Sequence, residues 1–376
     1  MLSWIEIDGA RLSANINAFR TLAGARTGLM IVVKANAYGH GLGAVAPLIA
    51  EQADWLGVNC IDEALALTGL GIRNPIVILG HTPLDRLELV VRNGYRQVLY
   101  RLDVARNLSE WAAKLNTTAR VHLKIETGTN RQGVASREIE GFIGEVRKLP
   151  ALEIEGIYTH FANIEDTLDP EFARSQSRRF QEALATVLRA GVRPEQVHAS
   201  ATAGALLYPE LSFTMVRVGI GAYGIWPSRE TQLAARERGR QVTLAPILTW
   251  KTRVVQVKHV NVGEYVGYGL TYQATRPMQL VVAPVGYYDG YDRRLSNCGR
   301  ALVRGHVAPV VGRVAMNMTM LDVTDVGAEL DDEVVLLGRQ GEAEIRVEEL
   351  AEKIGTIPYE VVSRINPLIP RTLTGK

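Results

Sequence analysis

Leu29-Met30-Ile31-Val32-Val33 is a run of five apolar residues that stops at Lys34. Seven more short apolar runs follow it, at 55–58, 76–79, 97–100, 121–125, 154–158, 197–199 and 215–218. Longer amphipathic stretches separate them, and 62–70 and 171–190 carry the helical period. Strand and helix alternating eight times over about 225 residues match the size of a (β/α)₈ TIM barrel. A doubly wound open sheet is the rival architecture, but no glycine-rich dinucleotide turn follows the first run.

Outward from these runs, the pattern changes after about residue 240. Residues 249–257 alternate with period two, and 280–283 and 333–337 are further strands between Gly, Pro and Asn. One short helix is expected near 347–354. The expected organisation is an α/β chain: a barrel over 9–235 and a mostly β domain over 240–376. The charged segment 228–239 reads as a linker. Residues 1–8 alternate apolar and polar and could add a strand to the β domain.

The chain has 376 residues, more than one ordinary domain needs. It is 47% hydrophobic, with 42 Lys and Arg against 40 Asp and Glu, a net charge of +2. Such a balance selects neither nucleic acid nor a membrane surface. No signal-peptide pattern opens the chain, and no apolar stretch is long enough to span a bilayer. Cys60 and Cys298 fit no metal or redox spacing. A disulfide between them stays open, but a reducing cytoplasm is the simpler reading.

Lys34 directly follows a strand, which puts it at the C-terminal mouth of the barrel, where such enzymes place their chemistry. Desolvation there lowers a lysine pKa and frees the amine to form a Schiff base. A lone lysine would more simply extend its amine into solvent. The decapeptide Val32-Val33-Lys34-Ala35-Asn36-Ala37-Tyr38-Gly39-His40-Gly41 weighs against that. It resembles the cofactor-lysine motif of alanine racemases, the fold-type III enzymes of pyridoxal 5′-phosphate. The resemblance continues through 122–131, 158–162, 216–221, 267–272, 285–287, 357–360 and 370–371.

The resemblance implies a barrel followed by a β domain, and it implies roles for individual residues. Lys34 would carry the cofactor. Arg217 would face its pyridine nitrogen, where a permanently charged guanidinium disfavours protonation of the ring. Gly219 and Ile220 would hold the phosphate through backbone N–H groups, with Tyr38, Tyr359 and Thr202. Thr202 stands where the family usually has Ser, and Ala201 where it usually has Asn. His160 would relay hydrogen bonds between Arg217 and the catalytic tyrosine. Arg131 would meet the cofactor's phenolic oxygen and the substrate carboxylate. Lys124 matches a lysine that is carbamylated in several members.

Racemisation removes a proton from one face of a planar carbon and returns one to the other, so two bases are the simplest solution. By resemblance these are Lys34 and Tyr268, the tyrosine arriving from the partner of a head-to-tail homodimer with shared active sites. Met316 and Asn317 match the segment that meets the substrate carboxylate. Asn317 replaces the usual Asp, and Ala315 replaces a residue that is often Cys. These departures keep a broad-specificity amino-acid racemase as the alternative to strict alanine. A non-enzymatic cofactor carrier would need neither the β domain nor Tyr268. A decarboxylase of this fold type would use a catalytic Cys and an acidic partner for the ring nitrogen, where this chain has Arg217. Whether D-alanine made here feeds cell-wall precursors or alanine is catabolised stays open.

Overall fold

A computed structural model of the chain describes residues 2–375. Met1 and Lys376, the outermost residues of the expected first strand and second domain, lie outside the described residues. Two compact units are seen. One is Leu12–Ala37 with Ala46–Ala245. The other is the described residues up to Arg11, with Tyr38–Val45 and the chain from Pro246 onward.

The first unit is the barrel. Its eight strands are Gly28–Val32, Trp55–Val58, Ile76–Ile78, Arg96–Leu99, Ala119–Glu126, Leu152–Tyr158, Gln196–His198 and Met215–Val218. The first seven run in chain order with parallel neighbours, and the eighth pairs with the first. The seam between seventh and eighth is held by two backbone bonds. Thr214 N–H donates to Val197 C=O (3.1 Å) and Arg217 N–H to Ser200 C=O (3.0 Å).

Side-chain alternation sets what lines the barrel. On the fifth strand, Leu123 and Ile125 pack outward with Ile157, Val197 and the helix residues Ile143 and Phe180. Period two therefore turns His122 and Lys124 to the opposite, inner face. There they join Met30, Val77, Val98, Tyr158 and Met215, which form the apolar part of the interior.

The segment 228–239, expected as a linker, is largely helical. It contains the α-helix Arg229–Glu237, and the Ser228 hydroxyl caps it by accepting the Thr231 N–H (3.0 Å). Only Thr231, Ala234 and Ala235 are buried on it, so its apolar content is too low for the pattern to announce a helix. Among the described residues no helix is long and apolar enough to cross a membrane.

The second unit is mostly β. Its larger sheet has the order His306–Pro309, Arg300–Val303, Glu333–Gln340, Leu248–Arg253, Ser3–Asp8, Arg371–Thr374. Ser3–Asp8 is thus an internal strand, antiparallel to Leu248–Arg253 and parallel to Arg371–Thr374. The run 249–257 is two strands rather than one. The chain leaves the larger sheet at Val254 and enters a three-stranded sheet as Gln256–Val260. Val254 N–H bonds to Asp332 C=O, whereas Val255 N–H bonds to Val282 C=O, so the switch falls between adjacent valines. A continuous alternating pattern cannot show such a switch, because both sheets ask for the same period. Two short helices, Val347–Ile354 and Pro358–Ser363, occur where one was expected.

Within the barrel unit, Asn15 joins the first helix to the chain beyond the eighth strand. Its Nδ2 donates to Ala222 C=O (3.3 Å) and Ala245 C=O (2.9 Å), and its Oδ1 accepts the Ala245 N–H (3.0 Å). Asn15 is buried, so its loss would leave backbone groups unpaired away from water. Asn15→Ala should lower the unfolding free energy by about 2–4 kcal/mol in a denaturant titration. A change within about 0.5 kcal/mol would show that water replaces the amide.

Candidate active site

Lys34 leaves the first strand into a turn with an uncommon backbone. Ala35, Asn36 and Ala37 have φ of 54° and Tyr38 has 53°. Four consecutive non-glycine residues are left-handed, at roughly 1–2 kcal/mol each. Glu63 braces the start of the turn: one carboxylate oxygen accepts the Ala35 N–H (2.6 Å) and the other accepts the Asn59 N–H (2.6 Å). Ala37 N–H donates to Val33 C=O (2.9 Å). The backbone is thereby fixed on both sides of the lysine.

The lysine amine sits among other cations. Burial, and next the charge of Arg131, hold the Lys34 pKa below its ordinary value, against the pull of Glu63. Lys124 is brought down to about 8 by burial, then by Arg131 and Arg217. Its amine donates to Gln132 Oε1 (3.3 Å) and lies 5.6 Å from the Tyr158 ring centre. His160 is held down to about 3 by burial and by Arg217, Arg131, Lys124 and Lys34 in that order. Four cations are therefore felt at one point. The carboxylates nearby, Glu63 and Glu126, offset them only in part. Glu63 is committed to main-chain amides, and Glu126 accepts the Gly128 N–H (2.5 Å) and Arg131 N–H (3.3 Å).

Arg217 is the deepest of the four. Its Nη1 donates to His198 Nδ1 (2.6 Å), and its Nη2 donates to Thr159 C=O (2.9 Å) and Ala199 C=O (2.8 Å), with His160 Nδ1 at 3.3 Å. The guanidinium also stacks 5.1 Å from the Tyr158 ring centre. Burial lowers its pKa to about 10, which still leaves it cationic at neutral pH. His198 escaped the sequence reading although it ends a barrel strand, a position that itself marks a candidate.

The backbone after the eighth strand turns sharply. Gly219 holds φ −105°, ψ −104°, outside the wells that side chains favour. Its N–H donates to Thr202 Oγ1 (3.2 Å). The 3₁₀ turn Ile220–Tyr223 begins immediately afterwards, presenting N–H groups that the turn itself does not use. Tyr223 anchors that turn by donating to Val32 C=O (3.0 Å), two residues before Lys34. A Cβ on Gly221 would come 2.6 Å from Phe19 Cζ and from Thr202 Cγ2, so the turn packs too tightly for a side chain there.

The remaining expected residues lie in the second unit. Tyr38 and Tyr359 face each other with ring centres 6.2 Å apart and a tilt of 52°. Tyr268 is in a short 3₁₀ turn between Gly267 (φ 74°) and Gly269 (φ 72°), and it is 73% exposed. Met316 and Asn317 are exposed as well.

A closed barrel with a half-buried lysine at a strand end and a cationic mouth is the kind of scaffold that receives an anionic ligand, and comparison with known proteins gives the family. The Alanine racemase, N-terminal domain family matches residues 7–227, and the Alanine racemase, C-terminal domain family matches 247–373. The chain is 41% identical over 376 residues to the alanine racemase of Symbiobacterium thermophilum, covering 100% of this chain and 97% of that one. It superposes on the alanine racemase of D-cycloserine-producing Streptomyces lavendulae with TM-score 0.94 at 32% identity, covering 100% of this chain and 98% of that one. The histidine racemase of Leuconostoc mesenteroides is similar too, with TM-score 0.88 at 29% identity, covering 99% and 98%. The chain belongs to the alanine racemase family.

Three histidines in the barrel have pKa values below the ordinary 6.5: His160, His122 and His198, each chiefly through burial. When folded values are depressed, the unfolded chain takes up protons first. Stability is then full above about pH 6.5 and is lost as pH falls below it. A ring whose titration leaves this range entirely contributes about 1.4 kcal/mol between pH 7.5 and 5.5. The apoprotein's unfolding free energy at fixed protein concentration should fall by roughly 2–4 kcal/mol over that interval. A flat profile would mean that these rings titrate in the folded protein.

Proposed function

We propose that this protein interconverts L- and D-alanine with pyridoxal 5′-phosphate, using Lys34 and Tyr268 as the two bases. The observation that carries the reading is the cationic mouth. Lys34, Lys124, Arg131 and Arg217 bear on one point, and the nearby carboxylates Glu63 and Glu126 offset them only in part. That donor set fits a phosphorylated cofactor and a carboxylate substrate, both anionic. The cofactor, when bound, supplies the electron sink that makes the α-proton removable.

The chain's residues then divide the work. Lys34 would hold the cofactor covalently, and its depressed pKa favours the neutral amine that bonding and proton transfer both need. Gly219 and Ile220 would bind the phosphate by backbone N–H groups, with the Thr202, Tyr38 and Tyr359 hydroxyls. Arg217 would face the ring nitrogen and, being positively charged, keep it unprotonated. Arg131 would bind the substrate carboxylate. His160, neutral at pH 7, can accept from Arg217 through Nδ1 and donate through Nε2 toward the second base. Tyr268, Met316 and Asn317 would come from a second copy in a head-to-tail homodimer. A cytoplasmic setting suits the cofactor and substrate.

Incubation with L-alanine and pyridoxal 5′-phosphate, followed by chiral chromatography, should give D-alanine. Rates on alanine, serine, lysine and arginine decide specificity. The curated relatives are named for alanine, whereas Asn317 and the histidine racemase's shared fold favour testing larger side chains. Lys34→Ala and Tyr268→Phe chains should each be inactive as homodimers. Mixed dimers should recover up to about half the wild-type activity, because one site inherits both lesions and the other neither. Mixed dimers verified by mass that stay inactive would place Tyr268 in its own chain's site or remove it from the chemistry.

Lys124 is proposed to carry a carbamate. An amine with pKa near 8 keeps a useful neutral fraction at physiological pH, and it attacks CO₂ to form N–COO⁻ with loss of a proton. The product would turn a repelled cation beside Arg131 into an anion that orients it. Labelled ¹³CO₂ should give a carbamate NMR signal that Lys124→Ala abolishes. A signal that persists in the variant would place the modification elsewhere.

A further inference from the structure

The interior of a barrel of this kind is ordinarily filled with branched apolar side chains. Here two imidazoles and a carboxylate run through it. His198 stacks on Tyr158 at 4.8 Å with an interplanar angle of 2°. His122 Nδ1 is 2.9 Å from His198 Nε2, and His122 Nε2 is 3.4 Å from Glu155 Oε2. Both histidines are fully buried. Gly156 leaves room for the His122 ring, since a Cβ there would be 2.7 Å from its Cγ and Nδ1. Glu155 accepts two bonds from Arg96 (2.8 and 2.9 Å), whose guanidinium lies 5.2 Å from the Trp55 ring centre. Arg120 lies 3.8 Å away.

The ends of this chain fix its direction. Arg217 has only donors, so His198 Nδ1 must accept. A neutral His198 then carries its proton on Nε2 and donates to His122 Nδ1. His122 in turn carries its proton on Nε2 and donates to Glu155, which is ionised. Burial opposes that charge, but hydrogen bonds from His122 and Arg96 hold the carboxyl down to about 2. Every dipole between Arg217 and Glu155 points the same way, with its negative end toward the guanidinium.

We propose that His198, His122 and Glu155 are positioning residues for racemisation, forming a one-way hydrogen-bond chain that holds the Arg217 guanidinium in place and supports its positive charge from the far end of the barrel. The proposal rests on Arg217 acting on the cofactor ring. Arg217 is surrounded by carbonyls, two imidazoles and an aromatic ring, and among the described residues no carboxylate is hydrogen-bonded or ion-paired to it. The remote anion reaches it through two polarisable rings, in the way that chained hydrogen bonds reinforce one another.

The experiment has two arms. In ¹⁵N-histidine-labelled apoprotein, both His122 and His198 should be neutral with the proton on Nε2 from pH 6 to 9. An Nδ1–H tautomer or a charged ring at either position overturns the chain. In the loaded enzyme, His198→Asn keeps an acceptor near Arg217 but cuts the link to His122. Its kcat for alanine should fall about tenfold with KM changed less than about threefold, and the fraction of turnovers ending in pyruvate should rise about tenfold. The double variant Arg96→Met, Glu155→Gln removes the remote charge without stranding its partner, and it should shift the same quantities in the same direction. Unchanged kcat and pyruvate fraction in both variants overturn the positioning role. Wild-type protein that does not racemise alanine sinks the functional reading instead, while the tautomer measurement still decides the chain.

Discussion

A guanidinium buried inside a barrel is the constraint that the rest of this site obeys. Arg217 cannot lose its proton at working pH, and leaving water costs it several kcal/mol unless its donors are met. Two strand-end carbonyls, two imidazoles and a tyrosine face meet them. Those partners come from the ends of the sixth and seventh strands while Arg217 itself is on the eighth, so the charge is housed only when the barrel has nearly closed. The same charge depresses His160 and Lys124, and through them the whole mouth becomes a place where an anion is welcome.

The left-handed turn after Lys34 answers a different demand. A right-handed helix beginning at that strand end would carry the chain away in the usual βα manner. Residues 35–38 instead curl the other way at a cost of roughly 1–2 kcal/mol each. The carboxylate of Glu63 and the Ala37–Val33 bond hold them there. Strain of this kind persists where surrounding contacts over-determine it, and here it sets the direction in which Lys34 leaves the strand.

The eight barrel strands were legible in the sequence because each is a short apolar run flanked by polar helices, and periodicity reports that directly. The helix Arg229–Glu237 was not, since two alanines and a threonine cover its small contact without an apolar stripe. Lys34 and Arg217 stood out through strand ends and motif. His122, His198 and Glu155 did not, for they lie 33 to 76 positions apart and meet only through barrel closure. The left-handed turn was also illegible: Ala-Asn-Ala-Tyr contains no glycine, and only its asparagine tolerates that conformation readily.

Two bases that serve opposite faces of one carbon need environments that hold each against its face and limit water there, because bulk water reaching the deprotonated carbon could return a proton to either face. Lys34 has part of such an environment, being half-buried with its pKa lowered chiefly by burial. Tyr268 does not, as it is 73% exposed on a turn held open by two glycines. In the same unit Tyr265, Leu270, Met316 and Met318 are also at least half exposed, apolar side chains that water covers poorly. On the proposed mechanism, the surface that shields Tyr268 must come from outside its own chain. Association of two copies would then be a requirement of the proton transfer itself, and a monomer with every side chain in place would still lack its second base.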